Sequence, residues 1–308
     1  GRITNPLFLK EGEDTYEEID WGSAFKIIAS KINGSDDPDE NVLYTSGRAS
    51  NEAAFLWGVL ARQIGTNNLP DCSNMCHESS GVALSESIGI EKGTVKLSCF
   101  EKADLILVIG QNPGTNHPRM LTALAACKEN GGSVVSINPL EETAMKRFKH
   151  PQNPLHLIGR GVQIADEHLP VRIGGDAALL QGFAKTILSQ GGADLDFISA
   201  NTLGFEDWKK HIESTDWEKI VEQSGISRDR IEKTGNAIAK SERMIVCWAM
   251  GLTQHENSVA VIQEVSNLLL AGGHFGKPGA GACPVRGHSN VQGDRTVGVN
   301  HHPTEDFI

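Results

Sequence analysis

The run Asp104-Leu105-Ile106-Leu107-Val108-Ile109-Gly110 constrains the fold more than any other stretch of the chain. Five consecutive apolar side chains leave no face for water, so a strand buried on both sides of a parallel sheet is expected there. A polar loop follows from Gln111 to Pro118, with Pro118 placed for a first helical turn, and the helix it opens stops at Gly131-Gly132. A second strand is expected over Ser133 to Ile137, broken by Asn138-Pro139. Strand, helix, strand in this order is a βαβ crossover, which makes the two strands parallel and the connection right-handed. Both strands run into an Asn-Pro turn, and open α/β sheets bind ligands at the carboxyl ends of their strands. Ordinary loop chemistry explains Asn and Pro there equally well. The glycines do not spell G-x-G-x-x-G, which argues against a standard NAD site.

The flanking segments extend the α/β pattern. Asp20 is placed to cap a helix whose apolar face is Trp21, Ala24, Phe25, Ile28, Ala29 and Ile32. Val42 to Thr45 reads as a short buried strand, followed by a Ser46-Gly47-Arg48 turn and a helix carrying Ala53, Ala54, Trp57, Leu60, Ala61 and Ile64 on one face. Beyond the crossover, Gly174-Gly175-Asp176 opens a helix that Asp176 can cap. Residues 195–241 read as two or three helices. A third strand is expected from Arg243 to Met250, running into Gly251-Leu252-Thr253-Gln254-His255, and a helix from Glu256 to Ala271 follows. Residues 276–295 read as a long loop, and such a loop in a compact domain is either functional or misread. Phe205, Trp208 and Trp217, at helical spacing, read as core.

With 308 residues the chain can hold two domains or one large α/β unit. A formal charge of −11 and the lack of a Lys/Arg cluster argue against nucleic acid or an anionic membrane as partner. No apolar run approaches the ~20 residues that span a bilayer, so no membrane contact is expected from this chain. Six scattered cysteines without a C-x-x-C pair fit a reducing compartment, hence a cytoplasmic location. The opening Gly1 to Pro6 shows no signal peptide and reads like mid-protein loop.

The chemistry-bearing segment is Asp71-Cys72-Ser73-Asn74-Met75-Cys76-His77-Glu78. A thiolate is both nucleophile and soft metal ligand, and an adjacent imidazole can lower its pKa or move its proton. The turn-forming residues around the pair predict a loop. Read on their own, these residues also admit a buried cysteine beside a surface histidine. The C-x3-C spacing of Cys72 and Cys76 would suit two ligands of a zinc or iron–sulfur site, but no second pair completes it.

Taken in order, several segments resemble the catalytic subunit of molybdopterin oxidoreductases, in the formate-dehydrogenase-like branch. They are Gly65-Thr66-Asn67-Asn68, Cys76-His77, Gly110-Gln111-Asn112-Pro113 with His117-Pro118, Trp248-Ala249-Met250-Gly251 with Thr253-Gln254, Gly276-Lys277-Pro278-Gly279, and Pro284-Val285-Arg286-Gly287 with Asn290-Val291-Gln292-Gly293. The resemblance implies a parallel-sheet, Rossmann-like αβα domain over 72–288, which binds a pterin dinucleotide. Residues 1–71 and 289–308 would belong to part of a second α/β domain. It implies a molybdenum or tungsten bis-molybdopterin guanine dinucleotide, with Cys76 as metal ligand, His77 handling the substrate proton and Arg286 holding formate. Cofactor contacts are then expected from Gly110, Asn112, Pro113, Thr115, Asn116, Asn138, Pro139, Gly174, Asp176, Gly251, Thr253, Gln254, Asn290 and Gln292. The activity implied is formate oxidation to carbon dioxide, with electrons leaving through an iron–sulfur cluster to a redox partner subunit or other acceptor.

The sequence departs from that family in three places. Glu78 stands where formate dehydrogenases tend to have glycine, which keeps a non-formate substrate open. Asn138 replaces an acidic ribose-binding residue. The upstream cysteine cluster for the iron–sulfur centre and the downstream pterin-binding domain are missing, so the chain reads as a central fragment, inactive alone, with Ile308 not a natural end. A non-catalytic scaffold subunit of a redox complex is the alternative from another class. Cys72 reads as structural or as a second redox thiol. His150, His156, His168, His211, His301 and His302 read as surface residues, and His288 as a group behind Arg286.

Overall fold

The computed structural model describes residues 4–159 and 161–300. The chain divides into two compact units, one running to Asn74 and resuming at His288, the other spanning Met75–Gly287. His301 and His302 lie outside the described residues.

In the first unit, β1 (Leu7–Phe8) and β2 (Glu17–Glu18) form an antiparallel pair. The helix Trp21–Asn33 forms as its sequence predicts, with the Asp20 carboxylate accepting the Ser23 N–H at 2.9 Å. Its apolar stripe is not buried, however: Trp21, Phe25 and Ile28 are 57%, 61% and 54% exposed. The strand expected at Val42–Thr45 is reduced to one parallel bridge, Thr45 with Asp71, and a Leu43 N–H bond to the Asn68 carbonyl. The segment it faces contains Pro70, which has no N–H to extend a ladder. A small core of Leu43, Ala54, Ala61, Leu69 and Val299 holds the unit together. The helix Asn51–Ile64 is capped by Ser50 and ends at Gly65 with φ +101°. The end of the expected long loop is a short helix, Val291–Thr296.

The second unit is built on five parallel strands: β3 (Leu105–Ile109), β4 (Ser133–Ile137), β5 (Glu167–Leu169), β6 (Met244–Trp248) and β7 (Gly281–Pro284). Their order is β5-β4-β3-β6-β7, with Leu105 in register with Ser133 on one side and Met244 on the other. All five residues of β3 are buried. Leu105, Leu107 and Ile109 join one core cluster with the helices Asp176–Ser189 and Ser258–Ala271, while Ile106 and Val108 join another with Phe100, Leu124 and Met145. Helices thus cover both faces, the αβα arrangement that a run without a polar face requires. Each such side chain contributes about 1.5–3 kcal/mol on leaving water. Phe183 lies in the first of these clusters, with Trp208 and Trp217 packed against it.

Three details differ from the sequence reading. Residues 195–241 hold four helices, because Gly204 and Gly225 adopt φ of +76° and +71° and Asp216 caps a new start between them. Gly281–Pro284 is a strand within the expected loop; it is the sheet's edge, where a terminal proline is tolerated. Asp176 is the first residue of its helix rather than the cap, and Gly175 occupies the cap. A Cβ at position 175 would stand 2.5 Å from the Gln223 carbonyl oxygen, so a side chain cannot sit there.

The strand order places the topological switch between β3 and β6, where the chain turns from one side of the sheet to the other. Gly110 and Gly251, just past the ends of these two strands, touch backbone to backbone. A Cβ on Gly251 would lie 2.4 Å from Gly110 Cα.

Candidate active site

Cys76 and His77 sit between a single turn, Ser73–Cys76, and the helix Glu78–Ile88. They are not on an open loop: they are 7% and 1% exposed. The serines and glycine that suggested a loop form the first turn of that helix, where Gly81 N–H bonds the His77 carbonyl. Cys76 Sγ lies 3.4 Å from Met250 Sδ at the carboxyl end of β6. Burial raises the thiol's pKa, while the Gly287 backbone N–H and the Arg286 charge favour the thiolate.

His77 has both ring nitrogens engaged. Nε2 faces the Val285 carbonyl at 3.1 Å, and Nδ1 faces Ser80 Oγ at 2.9 Å. Ser80 Oγ in turn accepts the Trp248 Nε1–H at 2.9 Å. Burial, together with Arg286 and His117 nearby, pushes the His77 pKa down to about 4. Arg286 Nη2 donates to the Glu91 carbonyl at 3.4 Å, and the Arg286 carbonyl faces His117 Nε2 at 3.1 Å. Gln111, 2% exposed, meets His117 Nδ1 at 3.3 Å. Ser80, His117 and Gln111 were missed as site residues. The signal for Ser80 was its spacing of three from His77, which faces the two together once that segment is helical.

The other expected residues scatter. Gly110, Asn112 and Pro113 stand at the end of β3, where Asn112 Oδ1 caps the turn by accepting Thr115 N–H and Pro113 is buried. Thr115 and Asn116 are exposed. Asn138 follows β4 and bonds the Leu140 carbonyl and Glu142, with Pro139 exposed beside it. Gly174, at φ +81°, has open space around it. Asp176 is buried and its pKa is raised to about 6, burial being the main cause. Gly251 and Thr253 follow β6; Gln254 donates to the Met75 carbonyl at 2.5 Å. Asn290 and Gln292 belong to the other unit, where Asn290 Nδ2 braces the Ala49 carbonyl and Gln292 is exposed. Cys72, also in that unit, accepts the Gly47 N–H through Sγ at 3.1 Å, a structural contact. His150, His156 and His168 are partly buried rather than on the surface, and His156 Nδ1 accepts the His150 N–H.

These residues suit a large, metal-bearing ligand. Among the described residues no three His, Cys, Asp or Glu side chains converge on a metal position. A metal held by Cys76 would leave coordination positions that the ligands of a cofactor could fill. Thr253 Oγ1, Gln111 Oε1 and Ser79 Oγ are buried without hydrogen-bond partners, two of them at the carboxyl ends of β3 and β6. Unsatisfied buried polar atoms at a sheet's switch point are what a bound dinucleotide would satisfy.

The sequence model of the family described as "Molybdopterin oxidoreductase" matches residues 2–304. The chain belongs to the molybdopterin oxidoreductase family. That membership implies a molybdopterin-bound metal. The uncharacterized oxidoreductase Rv2900c of Mycobacterium tuberculosis (strain ATCC 25618 / H37Rv) is 48% identical over 314 residues, covering all of this chain and 40% of that protein. The putative formate dehydrogenase SAR2393 of Staphylococcus aureus (strain MRSA252) is 30% identical over 301 residues, covering 96% of the chain and 29% of that protein. This molybdopterin oxidoreductase chain therefore spans about 40% or less of the relatives named here. In fold it is similar to acetylene hydratase from Pelobacter acetylenicus, with a TM-score of 0.72 and 21% identity over 91% of this chain and 36% of that one. No helix among the described residues is long and apolar enough to cross a membrane.

Proposed function

We propose that the whole protein is a molybdenum or tungsten oxidoreductase that carries bis-molybdopterin guanine dinucleotide and oxidises formate to carbon dioxide. The observation that carries this reading is the 3.1 Å contact of His77, the residue after Cys76, with the carbonyl of Val285, the residue before Arg286, which brings the segment of a soft ligand to that of a carboxylate-binding group. The putative formate dehydrogenase SAR2393, a relative at 30% identity, supports the substrate.

When bound, the metal centre supplies an acceptor for the two electrons that formate releases with its proton as it becomes carbon dioxide. Cys76 would hold the metal. The turns Gly110 to Asn116 and Gly251 to Gln254, with Asn138, Gly174 and Asp176 further along the same sheet, would hold the pterin nucleotide. Arg286, planar and permanently charged, would orient the carboxylate through paired hydrogen bonds. His77 would take the released proton at Nδ1, since Nε2 already faces the Val285 carbonyl. The location is cytoplasmic in this reading, and electrons pass to an iron–sulfur centre and redox partner outside this chain.

The test is formate-dependent dye reduction by the full-length protein, with metal and pterin measured on the same sample. Turnover with both present supports the reading. A loaded protein inert toward formate but active on another substrate would point to the non-formate alternative, for which Glu78, one residue past His77 and partly buried, is the motive. A protein carrying neither metal nor pterin, from a host that makes both, would establish the scaffold alternative.

A further inference from the structure

Ser80 has no role in the reading above, yet it is fully buried at the centre of a chain of hydrogen bonds. Its hydroxyl is 2.9 Å from both Trp248 Nε1 and His77 Nδ1, and His77 Nε2 is 3.1 Å from the Val285 carbonyl. Donor and acceptor types leave one direction for this chain. An indole N–H can only donate, so Ser80 Oγ accepts from Trp248. A carbonyl can only accept, so His77 Nε2 carries a hydrogen. Were Nδ1 protonated as well, it would donate to Ser80, and the serine hydrogen would need another acceptor in a fully buried place. With Nδ1 bare, Ser80 O–H donates to it and every group is satisfied.

We propose that Ser80, backed by Trp248, is a positioning residue that holds His77 as the Nε2–H tautomer, with Nδ1 bare and accepting from the serine hydroxyl. The ring then ties the helix Glu78–Ile88 to the segment after β7 that carries Arg286. The bearing of this on turnover rests on the formate reading; the hydrogen-bond lock does not.

The lock is read by nitrogen-15 NMR of the chain labelled at histidine, with His77 assigned from a His77→Gln spectrum and folding checked by circular dichroism. The wild type should show a protonated Nε2 and a bare, hydrogen-bonded Nδ1, with no tautomer averaging. In Ser80→Ala the two ring-nitrogen shifts should move toward each other, while Ser80→Thr, which keeps the hydroxyl, should resemble wild type. A protonated Nδ1 in the wild type overturns the lock, and that spectrum decides even if Ser80→Ala does not fold. A folded Ser80→Ala with wild-type shifts also overturns it. In the metal-loaded full-length protein, Ser80→Ala should lower kcat about tenfold with little change in the KM for formate, and Ser80→Thr should recover it. Shifts that move with kcat unchanged overturn the link to turnover. A fixed tautomer in a protein inert to formate supports the lock and overturns the formate reading instead.

Discussion

His77 and Val285 share a 3.1 Å contact across 208 positions of sequence, and Arg286 is the next residue. The contact joins the turn that presents Cys76 to the strand end that presents the guanidinium. Neither half of the site is positioned by its own segment alone.

That arrangement separates the roles of Cys76 and Arg286. In the full-length protein Cys76→Ala should cut turnover by ~100-fold or more while the fold survives. Arg286→Lys keeps the charge and loses the planar fork, so the KM for formate should rise about tenfold or more, as loss of a charge-assisted hydrogen bond worth ~1.5–3 kcal/mol gives. Metal content should drop in the first variant and hold in the second. Steady-state kinetics with metal analysis on both variants checks this.

Gly251→Ala should destabilise the chain by about 1–3 kcal/mol, because its Cβ would press 2.4 Å onto Gly110 Cα. Gly287→Ala, where a Cβ meets open space, should change stability by less than about 0.5 kcal/mol. Urea midpoints of the two variants give the comparison, and equal midpoints would count against the backbone contact.

Asp176 has its pKa raised to about 6, from 3.8, by burial. A raised carboxyl contributes stability that is present below 3.8 and lost as the pH rises through about 6. Asp176→Asn should therefore be more stable than wild type at pH 7, by ~2 kcal/mol, with the difference vanishing near pH 4. Denaturant unfolding at the two pH values reads it directly.

His274, 1% exposed, moves the other way, from 6.5 to about 4, burial again being the main cause. Its contribution is present above 6.5 and lost as the pH falls through about 4. His77 shares this direction. His274→Gln should make the loss of stability between those pH values shallower without abolishing it. An unchanged slope would exclude His274 as a source.

The sheet was legible where the chemistry left no choice. Leu105 to Ile109 and Met244 to Trp248 are apolar throughout and could only be buried strands. Gly281-Ala282-Cys283-Pro284 is short, small and ends in proline, so nothing local marked it; it becomes a strand because β6 offers an unpaired edge. At the site, Cys76, His77 and Arg286 were visible as residue types, and the structure sets the His77 ring against Val285, the residue before Arg286. Their supports were not, since Ser80 and His117 matter through contacts that only the fold creates. The exposed face of Trp21–Asn33 was invisible for the opposite reason: periodicity tells which side of a helix is apolar, not what covers it.

The contact between His77 and Val285 also sets an order of events during synthesis. At about 5–20 residues per second, the 208 positions between them take roughly 10–40 seconds to emerge from the ribosome. For that interval the imidazole lacks its carbonyl partner and Cys76 lacks the guanidinium charge beside it. The thiol is thus made long before the residues that come to surround it.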